Sequence, residues 1–333
     1  ADLVRATVAL MLPLVDQVWH VYVLVFVLQS ASATFTPAFQ SLIPLVLPRE
    51  RDYTKALSLS RLAYDLESLL SPALAAALLL LVGYSDLFLG TVVGFVVSAQ
   101  LVLVTRLPAA LPTARSGSLL HRTTLGARLF LRVPSLRGLL ALNLVVACGT
   151  ALVLVNTVVY VRTLYGGTNT GVAIALASYG AGSMVVALTT PRLLERVRDR
   201  TVMLLGSALA AVGVGAAAVV ALVQPAWLLM LLLWAFLGAG TSMINTPSAR
   251  LLRRAATDAT RSYLFAAQFS LSHACFIVTY PIAGWIGAAA GQPAAAFILA
   301  VLAALAAIAA LRLWTAPAPA KRAESAQRTR SSR

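Results

Sequence analysis

Two acidic residues, Asp65 and Glu67, lie inside a predominantly apolar stretch of the sequence. A carboxylate in such a setting is costly to keep charged, which makes it a candidate for binding and releasing a proton. Arg61 lies four residues before Asp65, so on a helix these two side chains share a face and can form an ion pair. Asp65 and Glu67 point about 160° apart on a helix, so they cannot both face one cavity squarely.

Two interpretations of these charges stay open. In the first, Asp65 or Glu67 binds a proton whose release is coupled to the exchange of a bound solute. In the second, Arg61 and Asp65 form a structural pair near a helix end and extend toward water. Counted from Lys55 at a rise of about 1.5 Å per residue, Asp65 lies about 15 Å into the helix.

A histidine and several uncharged polar residues also lie inside apolar segments. His273 changes charge near neutral pH, so it is a candidate either for relaying protons or for packing through a hydrogen bond. The other polar residues are candidates for contacting a solute in a cavity or for bonding to a neighbouring helix. These residues are Gln29, Tyr64, Asn143, Asn156 and Gln268.

Four prolines fall within apolar segments and predict helix kinks. Such kinks serve either to let two helical halves flex against each other or only to ease packing. These candidates for kinking and gating are Pro37, Pro72, Pro247 and Pro281.

Motifs of enzymes and metal sites are not found in the sequence. There is no Gly-rich phosphate loop with its lysine, which excludes an ATP-driven pump within this chain. The three histidines and two cysteines form no metal-binding pattern, so we expect neither a metal nor a cofactor. No spacing of serine and histidine suggests a nucleophilic triad, and we expect a protein that is not an enzyme.

The composition indicates the elements that position these residues. Of the 333 residues, 60% are hydrophobic and 11% are charged, and the mean hydropathy is +0.87. A soluble domain carries about 25% charged residues to cover its surface. Chains that span a bilayer must pair their own backbone polar groups, which favours helices. The predicted fold class is therefore an all-α polytopic membrane protein.

Apolar segments broken by proline, glycine and charge predict about ten transmembrane helices. All but the first reach the roughly 20 residues that a helix needs to cross the hydrocarbon core. The predicted spans are 3–15, 18–46, 56–82, 87–107, 139–161, 172–194, 201–223, 226–249, 262–288 and 294–314.

The net charge of +15 would suggest nucleic-acid binding in a soluble protein, but its distribution here indicates topology. Of the 26 basic residues, 25 fall on alternate connections, and only Arg162 falls on the other side. The positive-inside rule places the basic side, with the C-terminus, in the cytoplasm. We therefore expect a lipid bilayer rather than nucleic acid as the partner.

An internal repeat relates two parts of the chain. A shift of 210 residues gives eight identities over 35 positions, including Thr36-Pro37 on Thr246-Pro247, where composition alone predicts roughly three. Both copies run in the same direction, which is typical of two halves related by an axis along the membrane normal.

The repeat predicts four segments. Residues 1–107 form an N-terminal half of four helices, and 138–315 form a C-terminal half of six. Because equal halves would have six helices each, we expect two further helices before Ala1. Residues 108–137 form a central cytoplasmic loop with either an amphipathic helix or a basic linker, and 316–333 form a disordered basic tail.

The order of these elements resembles the major facilitator superfamily, and within it the bacterial branch that exports drugs and siderophores. The segments that carry the resemblance are 1–6, 35–44, 61–75 and 191–200. One departure is Ser71-Pro72, where antiporters of the family have Gly-Pro followed by further glycines.

The resemblance implies a secondary active transporter of the bacterial inner membrane that works as a monomer by alternating access. It implies proton-coupled efflux of a drug-like, siderophore-like or other amphipathic compound. Two alternatives stay open: a carrier for uptake or facilitated diffusion of a metabolite, and a membrane sensor or scaffold that transports nothing.

We predict that neutralising the acidic residues, by Asp65→Asn and Glu67→Gln, abolishes pH-driven transport. The reason is that neither amide can carry a proton between the two sides of the membrane. The measurement is solute flux in proteoliposomes with an imposed pH gradient. Wild-type flux in both single variants would remove these residues from the coupling mechanism.

Overall fold

A computed structural model describes residues 1–78, 82–104 and 119–314, and this part of the chain contains α-helices and no β-strand. The side chains of several residues within 61–88 and 119–123 are outside that description. The helices are α1 Asp2–Met11, α2 Val18–Val46, α3 Glu50–Leu78, α4 Tyr84–Val104, α5 Leu119–Arg132, α6 Pro134–Leu164, α7 Asn169–Arg196, α8 Asp199–Val223, α9 Trp227–Ala255, α10 Arg261–Ala290 and α11 Gln292–Leu313.

The fold class predicted from the sequence is confirmed, but the number of membrane-length helices differs. Within the described ranges, eight helices are long and apolar enough to cross a bilayer, not ten. α1 has only ten residues. α3 has 29 residues but carries charges throughout its first five turns: Glu50, Arg51, Asp52, Lys55, Arg61, Asp65 and Glu67.

The element boundaries follow the repeat. When shifted by 210 residues, α2 coincides with α9 to within one residue at each end, and α3 coincides with α10 to within two. Pro37 in α2 and Pro247 in α9 are both buried inside their helices. The two copies therefore have the same local structure, a long helix, a short connection and a second long helix.

The buried core lies among α6 to α11. α9 packs against α7 and α8, and α11 packs against α6 and α8. Trp234 is fully buried at its centre, where its indole N–H donates to Thr157 Oγ1 at 2.8 Å and its ring meets Tyr160 edge-on. Tyr160 Oη donates to the Ala217 carbonyl at 2.9 Å. These aromatic residues thus add bulk without leaving a polar atom unpaired.

The connections lie at two ends of the bundle. Tyr165 Oη donates to the Pro225 carbonyl at 2.9 Å, so the connections after α6 and α8 adjoin at one end. At the other end Arg253 donates to the Pro48 carbonyl, which brings together the connections after α2 and α9. We call this second end, where the arginine-rich connections lie, the basic end.

The predicted loop between the halves contains helix α5, while residues 108–118 of that loop and the tail after 314 lie outside the described residues. Phe130 is fully buried, and Gly126 is so close to α10 that a Cβ there would lie 2.3 Å from the Tyr263 carbonyl oxygen. Arg128 and Arg132 are exposed. α5 is therefore amphipathic and packs against the start of α10.

Glycines allow α7 and α9 to touch through their backbones. A Cβ on Gly182 would lie 1.8 Å from the Ala235 carbonyl oxygen, and one on Gly238 would lie 1.9 Å from that of Tyr179. Small residues that let helices approach closely replace the hydrophobic driving force that is missing between helices in lipid.

We predict that Gly182→Ala destabilises the protein by about 2 kcal/mol or more, because the added methyl group meets backbone that cannot rotate away. The measurement is thermal unfolding of the purified protein in detergent. Gly215→Ala on α8 is the matched control, since its Cβ would lie 3.8 Å from Ala300 Cβ in ordinary contact. Equal unfolding temperatures for both variants would contradict the close approach.

Candidate functional site

Four charged residues from three helices meet at the basic end, and we call them the basic-end cluster: Glu50, Asp199, Arg250 and Arg254. Arg250 Nε lies 2.6 Å from Glu50 Oε1 and 3.5 Å from Asp199 Oδ1. Arg254 donates to Asp199 Oδ2 at 2.5 Å and also contacts Glu50. Each arginine thus bridges both carboxylates.

The positions of these charges on their helices favour the cluster. Glu50 and Asp199 lie in the first turns of α3 and α8, and Arg254 lies in the last turn of α9. Acidic groups at helix N-termini and basic groups at C-termini are stabilised by the helix dipoles. Asp199 is 5% exposed and Arg250 is 13% exposed, whereas Glu50 is half-exposed.

A second set of contacts joins α3 to α9 and to α7. Tyr53 Oη donates to the Ala249 carbonyl at 3.1 Å, and the Arg253 guanidinium lies 4.9 Å from the Tyr53 ring. Arg51 lies 3.6 Å from Glu195 at the end of α7. Helix α3, which belongs to the first copy of the repeat, is therefore attached at the basic end directly to α7 and α9, and to α8 through the arginines of α9.

Of the two acidic residues that the sequence suggested for proton binding, Asp65 and Glu67, the structure describes only the side chain of Glu67. Glu67 is exposed on α3. The side chains of Arg61, Tyr64, Asp65 and Pro72 lie outside the described residues, although their positions fall within α3.

Two of the predicted polar residues bond to each other. Asn143 on α6 and Gln268 on α10 exchange two hydrogen bonds, each 3.1 Å long. Asn143 is buried and Gln268 is half-buried. Reciprocal amide bonds let each group satisfy the other across a helix interface.

Asn156 is 2% exposed and joins three helices. Its Nδ2 donates to the Ala283 carbonyl at 2.9 Å and to Gln292 Oε1 at 2.6 Å. It ends the π-helical turn Leu152–Asn156 of α6 and contacts the π-helical turn Ile282–Ile286 of α10. Both of these hydrogen bonds are made to other protein groups, at a place where α6 and α10 each depart from α-helical geometry.

His273 belongs to a row of rings on α10 that also contains Phe269, Phe276 and Tyr280. The His273 ring stacks on Phe269 with centroids 4.1 Å apart, and the Phe276 and Tyr280 centroids are 4.9 Å apart. His273 Nδ1 donates to the Phe269 carbonyl at 2.7 Å. His273 and Tyr280 are exposed, and the phenyl rings are half-buried.

The remaining candidates lie apart from these groups. Gln29 is exposed on α2. Pro281 is half-buried and ends the α-helical part of α10, directly before its π-helical turn. No group of three or more potential metal ligands occurs within 1–78, 82–104 and 119–314.

One buried ion pair was not anticipated. Asp2 on α1 accepts hydrogen bonds from Arg5 Nη1 at 3.1 Å and from Ser98 Oγ on α4 at 2.8 Å. The Arg5 guanidinium lies 4.9 Å from the Phe35 ring and 5.6 Å from the Phe95 ring. The signal was present, since opposite charges three residues apart in an apolar run face each other on a helix.

The basic-end cluster was missed for another reason. Its arginines fit the charge distribution that marks membrane topology, and its two acids lie among many basic residues. An acid at the start of a helix, beside a connection full of arginines, is the pattern that would have indicated such pairs.

The chain is thus an all-helical membrane protein whose polar groups pair between helices. The sequence profile of the Major Facilitator Superfamily matches residues 139–332, from the second turn of α6 through α11 and beyond. This is more than half of the chain, so the protein belongs to that family and is a secondary membrane transporter. The prediction of a non-enzymatic protein agrees with this family, whose members are transporters. No curated protein matches the sequence.

We predict that Glu50→Gln weakens the contact at the basic end by about 1 kcal/mol, because a half-exposed ion pair contributes at most roughly this much. The measurement is the distance distribution between spin labels at Lys55 and Ala259, with Cys148 and Cys275 replaced by alanine. The fraction of long distances is expected to rise several-fold.

Asp52→Asn is the matched control for this variant. Asp52 lies on the same turn of α3 but, within the described part of the chain, its ion pair is with the exposed Arg49, at 3.3 Å. An equal change in both variants would show that surface charge, rather than the basic-end cluster, holds the two helices together.

Proposed function

We propose that this protein exports a small amphipathic compound, drug-like or siderophore-like, in exchange for protons. It does so as a monomer in the bacterial inner membrane, with the basic end and the C-terminus in the cytoplasm. The concentration of arginine at the basic end supports this orientation, since basic connections stay on the cytoplasmic side.

The observation that carries the proposal is the basic-end cluster. It attaches α3, from the first copy of the repeat, to α8 and α9, which follow the central loop. Half-exposed ion pairs cost about 1 kcal/mol or less to break, so they suit a contact that opens and closes in each cycle. Alternating access requires such a contact between two otherwise rigid halves.

Proton coupling is assigned to α3. Asp65 and Glu67 lie on the same helix as Glu50, between four and five turns further along. A proton bound by either carboxylate changes the charge of α3, the helix that contributes Glu50 to the basic-end cluster. His273 is the second candidate, since it is an ionisable residue on the exposed side of α10.

The aromatic row on α10 supports an amphipathic substrate. Exposed and half-buried rings of His273, Phe276 and Tyr280 offer a flat apolar surface, and Gln268 adds an amide nearby on the same helix. Aromatic faces attract cations and stack on planar groups. A planar cation with an apolar body therefore matches this surface.

We predict that a pH gradient drives ethidium export by proteoliposomes and that Tyr280→Ala raises the half-saturating ethidium concentration about fivefold, through loss of the cation–π contact. Ile277→Ala is the control, since Ile277 is a strongly exposed aliphatic residue on the same helix and should change the value less than twofold.

The alternatives are separated by the same assay. Ethidium movement that only follows its own gradient would indicate a facilitative carrier, and accumulation in the opposite direction would indicate uptake. Equal effects of Tyr280→Ala and Ile277→Ala would contradict the role of the aromatic row.

A further inference from the structure

A cavity of about 450 Å³ opens at the basic end beside the cluster, between the ends of α7, α9 and α11 and the starts of α6 and α8. Five of its lining residues are arginines and only two, Glu195 and Asp199, are acidic. Both acids already have partners, since Glu195 pairs with Arg51 and Asp199 pairs with Arg250 and Arg254. The cavity therefore has an excess of positive charge.

Arg196 and Arg198 supply most of this excess. Both are exposed, and neither forms an ion pair among the residues that the structure describes. Arg200 is oriented differently, because its guanidinium donates to the carbonyls of Trp314 and Leu311 at the end of α11. Two guanidinium groups thus lie at the cavity without a carboxylate to neutralise them.

Further donors lie in the same wall. Ser135 is in the first turn of α6 and Arg200 is in the first turn of α8, so two helix N-termini border the cavity. The N-terminal N–H groups of a helix have no partners within it, and they favour anions. Arginine binds phosphate through two parallel hydrogen bonds.

The rest of the wall is apolar. Leu194, Val197, Leu251 and Trp314 line the cavity beside the arginines. α7, α8, α9 and α11 are all membrane-length helices that begin or end here, so the cavity lies at the level of the lipid headgroups. Basic pockets between helix ends at this depth suit phospholipid headgroups.

We propose that this cavity binds a phosphate-bearing anion through Arg196, Arg198 and Ser135, with the apolar wall receiving the group attached to the phosphate. The two sources of this chemistry are the headgroup of an anionic phospholipid and a free phosphate. The proposal does not depend on the direction of transport or on its substrate.

The test compares lipid retention by native mass spectrometry of the detergent-purified protein after exposure to phosphatidylglycerol or phosphatidylcholine. Wild type should retain phosphatidylglycerol preferentially, and Arg196→Gln/Arg198→Gln should lower this retention about tenfold. Arg128→Gln/Arg132→Gln is the matched control, because it removes two exposed arginines from α5 at the same end. It should stay within twofold of wild type.

A second arm measures thermal unfolding with inorganic phosphate in place of lipid. A rise in unfolding temperature that requires Arg196 and Arg198 indicates that free phosphate is sufficient, whereas retention of lipid alone identifies the headgroup. Arg196→Lys/Arg198→Lys and Ser135→Ala, which keep the charge, should bind more weakly than wild type but better than the glutamine variant. No binding in either arm, or equal loss in the two arginine pairs, would overturn the proposal.

Discussion

Inside an apolar bundle a polar side chain has no water to bond with, and this constraint decides how the polar residues of this protein are arranged. Asn143 pairs with Gln268, Asn156 Nδ2 bonds to α10 and α11, and the indole of Trp234 bonds to Thr157. Each of these bonds joins two different helices. The polar groups therefore fix which helices are neighbours, while the apolar residues supply the surface between them.

Two kinds of contact hold the helices together, and they differ in how easily they separate. α7 and α9 touch through glycines whose Cβ positions fall within 2 Å of backbone oxygens, so any relative movement there meets hard atoms. The ion pairs that Glu50 of α3 forms with Arg250 and Arg254 of α9 are half-exposed, so water can replace them. The proposed alternating access needs both kinds of contact, one that stays closed and one that opens.

The basic-end cluster and the phosphate-binding cavity share Arg250 and Arg254, which line the cavity while they bridge Glu50 and Asp199. Because nearby charges alter one another's energies, an anion in the cavity changes the strength of these ion pairs. The lipid composition of the leaflet at the basic end is thereby connected to the contact between the two copies of the repeat. The connection needs no long pathway, since the shared arginines contact the carboxylates directly.

Composition, apolar run length and the 210-residue repeat were sufficient to predict an all-helical membrane protein and the boundaries of most helices, because these features depend only on local hydrophobicity and backbone pairing. They were not sufficient for α3, where seven charges break the apolar character of a continuous 29-residue helix. Nor did they reveal that Glu50 meets Arg250, 200 residues away, or that Asn143 meets Gln268. Such pairs arise only when helices distant in sequence pack side by side, so the tertiary structure alone decided them.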